Sequence, residues 1–92
     1  MKAINAEEKD ILRVYLSFGR VRKYIETEHP MYKFISTSKL NHVYESRFSK
    51  AIGKASFRDL YDRGIIELRH QGPDWYVGVD IKNIPKVEKA VA

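Results

Sequence analysis

The stretch from Ser49 to Val79 constrains the fold of this chain most. Over 49–63 the apolar residues Ile52, Phe57 and Leu60 recur on one side of a helix, and Gly53 and Ser56 permit a neighbour to approach closely. The periodicity stops at Gly64, and glycine takes the left-handed conformation at a helix end more freely than any other residue. Two short apolar runs follow, IIELR and WYVGV, with the turn formers HQGPD between them. The stretch therefore predicts a helix leading directly into a two-stranded hairpin.

Upstream, Asn5 and Glu8 have the spacing of a capping box. Ile11, Leu12, Tyr15 and Phe18 then recur at helical spacing, and Gly19 is the expected stop. Val21, Tyr24 and Ile25 mark one face of a second, short helix that Pro30 interrupts. MYKFI reads as an extended entry or a last helical turn. Ser36 or Thr37 can cap a third helix with Leu40, Val43 and Tyr44 on its apolar side, and ESRFS is the expected break after it. Near the end of the sequence Asn83 is the expected cap of a last helix. Pro85 is tolerated in its first turn, and Ile84, Val87 and Val91 lie on one side.

Ninety-two residues, 43% of them hydrophobic, make one domain with a modest core. With no cysteine there is neither a disulfide framework nor a zinc–thiolate site. The N-terminal residues lack the apolar run of a signal peptide, and no window has the length of a membrane span, so the expected location is cytoplasmic, away from membranes. A formal net charge of +5 favours nucleic acid or an acidic partner. His29, His42 and His70 are scattered, without metal-ligand spacing. No phosphate-binding glycine loop and no nucleophile with its base is present. The chain is therefore expected to be no enzyme, with no catalytic residues, no metal and no cofactor.

The expected helix over 49–63 divides its sides. At 100° per residue Lys50, Lys54, Arg58 and Tyr61 share an arc of about 80°, with the apolar side roughly 120° away. Arg47 precedes the helix near the same side, and Ser49 can donate to a phosphate at its start. Such a helix can pack on a scaffold while its basic strip meets phosphates and base edges. On the hairpin Arg69 and His70 are candidate phosphate contacts, but the tip carries Gly72, Pro73 and Asp74. Trp75 reads as packing against the domain, with stacking on a base as the alternative. Arg20, Arg22 and Lys23 form a second basic cluster that can touch a nucleic-acid backbone.

A short helix, a tight break, a second helix and a hairpin resemble the winged helix-turn-helix superfamily. The resemblance covers about 20–79, within a single domain 1–92 that adds terminal helices at about 6–18 and 84–91. It implies an α+β, mainly helical fold that binds double-stranded DNA with the helix 49–63 in the major groove, in a transcriptional regulator or a small chromosomal protein. Relatives of this kind often dimerise through helices outside the core. Ile11, Tyr15, Phe18, Val87 and Val91 are then candidates for a homodimer interface, or they close the monomer's own core. Locally, HPMYKFIS followed by GKASFRDLYDRGII is similar to the small-subunit ribosomal protein of archaea and eukaryotes numbered twenty-five. The matching positions are Pro30, Tyr32, Lys33, Ile35 and Ser36, then Arg58, Asp59, Leu60, Gly64, Ile65 and Ile66. That family has a lysine-rich N-terminal tail where this chain has a helix with acidic residues. The likeness implies RNA and the ribosome as alternative partners, and a protein–protein module is the third reading.

Overall fold

The structure, a computed structural model, describes residues 4–92. Helix α1 spans Ala6–Ser17 and opens on the expected capping box. Glu8 donates its amide to Asn5 Oδ1 at 2.8 Å, and Asn5 donates its own to Glu8 Oε1 at 3.0 Å. The stop is not Gly19. Phe18 takes an extended conformation (ψ 134°) that ends α1 and serves as the N-cap of α2, Gly19–Thr27. The Phe18 carbonyl already accepts the Arg22 amide at 2.9 Å, so Gly19 is the first residue of a new helix and has no need of a left-handed backbone.

A 3-10 turn at Pro30–Tyr32 leads to a two-residue strand β1, Ile35–Ser36. Ser36 then caps α3, Thr37–Phe48, accepting the Lys39 amide at 3.1 Å. Helix α3 thus takes in the first four residues of the ESRFS stretch expected to break it. The break comes at Ser49, whose left-handed backbone (φ 55°) terminates α3. Helix α4 covers only Lys54–Asp62. Its start is displaced because Ile52 is buried and turns the chain inward, and Asn41 of α3 accepts the Ile52 amide at 2.8 Å. The end is as expected. Gly64 is left-handed (φ 72°), its amide meets the Tyr61 carbonyl at 3.0 Å, and the Ile65 amide meets the Leu60 carbonyl at 3.0 Å. This is the paired hydrogen bonding of a Schellman end.

Strands β2, Glu67–Gln71, and β3, Asp74–Gly78, form the hairpin. Its turn is two residues long. Gly72 has φ 60° and Pro73 the fixed negative φ of proline, the pattern of a type II′ turn. β1 pairs antiparallel with β3, giving a three-stranded sheet in the order β1-β3-β2. A 3-10 turn at Ile81–Asn83 leads into α5, Ile84–Val91. Asn83 does not cap α5. Its backbone is already helical, and its side-chain amide donates to the Gly64 carbonyl at 3.3 Å, tying α5 to the end of α4.

The class is α+β, with five α-helices and one antiparallel sheet among the described residues. Helix α1 is not an appendage to a core of 20–79. It supplies Ile11, Leu12, Val14 and Tyr15 to the buried cluster, and Ile84 and Val87 of α5 join it. Ile11, Tyr15 and Val87 are therefore enclosed within one chain and offer no surface to a second copy, while Phe18 and Val91 pack against the same cluster, partly buried. Of the two expectations for these five residues, the structure has them close the monomer's own core. Among the described residues no helix is long and apolar enough to cross a membrane.

Two tyrosines fix the sheet to the helices. The Tyr15 hydroxyl donates to the Lys33 carbonyl at 2.7 Å and accepts the Val79 amide at 3.2 Å. The Tyr24 hydroxyl donates to the Val79 carbonyl at 2.8 Å. Burial pushes both hydroxyls above the usual tyrosine range, so they remain neutral donors.

Candidate nucleic-acid interface

One side of α4 is fixed to α1. Leu60 is buried, Ser56 donates to the Glu7 carboxylate at 2.7 Å, and Arg63, just past the helix, donates to Glu8 at 3.1 Å and to Asp59 at 3.1 Å. The other side carries Lys54, Arg58 and Tyr61 at i, i+4 and i+7, all exposed. Arg58 reaches Asp62 at 3.5 Å in an exposed i,i+4 pair. Such pairs contribute little, about 0.3–0.5 kcal/mol, so Arg58 can exchange Asp62 for another anion at small cost.

The remaining members of the expected strip are elsewhere. Ser49 closes α3, and Lys50 is exposed in the connection before α4, so neither belongs to the α4 stripe. Arg47 lies in the last turn of α3 and directs its guanidinium to Ser17 Oγ at the end of α1, 3.3 Å away. The strip expected on one long helix is thus divided between two helices and the turn between them.

Strand alternation separates Arg69 from His70. Arg69 pairs with Tyr76 in the register and lies over the Phe34 ring, 4.3 Å from its centroid. The same Phe34 ring covers Gly78, where an added Cβ would come within 2.9 Å of it. Arg69 also shares a recess with Arg20, whose guanidinium donates to the Met31 carbonyl and lies 5.6 Å from the Tyr32 ring centre. Lys23 approaches the same ring at 4.9 Å. Arg22 faces away, with Glu88 of α5 at 4.0 Å. Of the second basic cluster, Arg20 and Lys23 meet at Tyr32 and Arg22 does not join them.

On the opposite face of the hairpin His70 and Trp75 are direct cross-strand partners, stacked with centroids 4.6 Å apart and planes 23° from parallel. Trp75 is 48% exposed, so its ring does not pack into the domain as the sequence suggested. The cause lies in the register. Val77, two residues on and on the same face, is buried with Leu68 opposite it, whereas Trp75 is two pairs nearer the turn, beyond the cover of the helices. With Leu68 and Thr37 it lines a groove of about 580 Å³ whose other wall is α4, including Lys54, Phe57 and Arg58. Counting positions back from the Gly-Pro turn would have revealed this placement. Asn41, which holds the connection before α4, left no signal beyond its polarity.

Comparisons with family models, with curated proteins and with solved structures found no match.

Proposed function

We propose that this chain is a non-enzymatic protein of the winged helix-turn-helix type that binds double-stranded DNA with α4 in the major groove, as a transcriptional regulator or a small chromosomal protein. The observation that carries the reading is the division of α4. Leu60, Ser56 and Arg63 bind its inner side to the scaffold, and Lys54, Arg58 and Tyr61 face outward on the other. From Lys54 to Tyr61 the stripe rises about 10 Å along the helix, a length that suits contacts across a groove about 12 Å wide. The helix–turn–helix of α3 and α4, the hairpin after it and the strand order β1-β3-β2 are consistent with the same reading, as is the net charge of +5. Since Ile11, Tyr15 and Val87 serve the core of one chain, the reading needs no dimer, and a single half-site suffices in a test oligonucleotide.

The test is titration of the purified protein with duplex DNA and with structured RNA of equal length at two salt concentrations. Duplex binding that weakens steeply with salt, and that falls in the Lys54→Ala/Arg58→Ala variant without loss of folding, supports the proposal. Preference for the RNA at equal salt would move the assignment to the ribosome-associated reading. Salt-insensitive binding, or none, would leave the protein–protein module.

A further inference from the structure

The groove between α4 and the hairpin combines features that a duplex-binding helix alone does not require. Trp75 presents an indole that is 48% exposed, with His70 stacked at 4.6 Å holding it in place. Phe57 and Leu68 continue the apolar floor, and Lys54 and Arg58 border it. We infer that this groove is a binding subsite for an unpaired nucleobase, which stacks on Trp75 while Lys54 and Arg58 take the phosphates that flank it. The inference rests on the proposed docking of α4 on DNA, since the same two cations serve both.

Charge and shape together choose the occupant. Lys54 and Arg58 border the aromatic surface, so the ligand is flat and apolar at its centre and anionic at its edges. A nucleotide base with its own phosphates has that arrangement. A base inside a stacked duplex keeps both faces covered by its neighbours, so the indole gains a partner only when a base leaves the stack. Trp75 would then favour sites with an extrahelical or overhanging base over continuous duplex.

Trp75 is the only tryptophan in the chain, so its fluorescence reports on the subsite directly. The test compares three oligonucleotides at one salt concentration: a continuous duplex, the same duplex with one bulged thymidine, and that duplex with an abasic residue in the bulge. The bulged thymidine is expected to bind about ten-fold more tightly than the other two, a gain within the range for stacking one base on an aromatic side chain, and to quench the indole emission. Trp75→Ala should abolish the preference while keeping salt-sensitive binding to continuous duplex, and Trp75→Phe should retain most of it. Equal binding of the three oligonucleotides, or a preference that survives Trp75→Ala, would overturn the subsite and leave the α4 reading standing. No salt-sensitive binding to any of them would overturn both.

Discussion

Arg63 donates to the buried carboxylate of Glu8 at 3.1 Å, joining the end of α4 to the capping box that opens α1. Glu8 is 1% exposed and shares the guanidinium with Asp59. Burial raises its pKa above the ordinary carboxylate value, the neighbouring Asp59 carboxyl adds to the rise, and Arg63 opposes it with a smaller pull. In the unfolded chain Glu8 ionises near its ordinary value. The folded protein holds the proton to higher pH. The stability this group contributes is therefore fully present below the ordinary value and is lost as pH rises through the folded value. Glu8→Gln keeps the capping geometry and does not titrate. Urea unfolding at about pH 7 and about pH 4.5 should show the wild type gaining stability relative to Glu8→Gln on acidification. A constant difference between the two proteins would remove the buried carboxylate from the account.

Two buried tyrosines should respond oppositely to loss of the hydroxyl. Tyr15→Phe leaves the Val79 amide and the Lys33 carbonyl without their partner, which costs about 1–3 kcal/mol. The Tyr44 hydroxyl is buried and has no hydrogen-bond partner among the described residues. Tyr44→Phe retains the packing against Phe48, at 4.7 Å between ring centres, and should leave stability unchanged or raise it by up to about 1 kcal/mol. Thermal unfolding of the two variants side by side distinguishes them.

The connection between α3 and α4 offers a second opposed pair. Asn41→Ala removes the acceptor of the partly buried Ile52 amide and should cost about 1–3 kcal/mol. Ser49 holds a left-handed backbone at φ 55°, so Ser49→Gly should stabilise the fold by roughly 0.5–1 kcal/mol. Chemical denaturation midpoints should move in opposite directions, with the slope unchanged.

If α4 contacts DNA phosphates through Lys54 and Arg58, replacing both by Ala should lower the slope of log affinity against log salt by about 1.8, at roughly 0.9 for each phosphate. Arg47→Ala should leave that slope unaltered, because Arg47 is directed to Ser17. An equal loss in both variants would place the DNA elsewhere on the protein.

The sequence disclosed those parts of the fold that depend on near neighbours. The Asn5–Glu8 box, the Gly64 end of α4 and the Ser36 cap are set by residues a few positions apart and stand in the structure, as does the hairpin, though its turn is Gly72 and Pro73 alone and His70, Gln71 and Asp74 belong to the strands. The structure departs from the sequence pattern where a distant contact decides. Ile52 turns inward with its amide donating to Asn41, which shortens the helix expected over 49–63 and removes Lys50 from its stripe. Strand β1 has two residues and exists because β3 lies beside it. Trp75 is exposed because it stands beside the turn and beyond the buried Val77, which its distance from the Gly-Pro pair carries and its residue type does not.

Val79 has consequences for how the chain acquires its structure during synthesis. Its amide and carbonyl are held by Tyr15 and Tyr24, across separations of 64 and 55 residues, and Arg13 reaches the Val91 carbonyl across 78. Helix α1 thus depends on partners that come much later in the sequence. Helix α1 packs on α2, α3 and α5 alike, so the cover over Ile11, Leu12 and Tyr15 is complete only once the chain through α5 is present, and the domain is expected to fold as one unit rather than helix by helix.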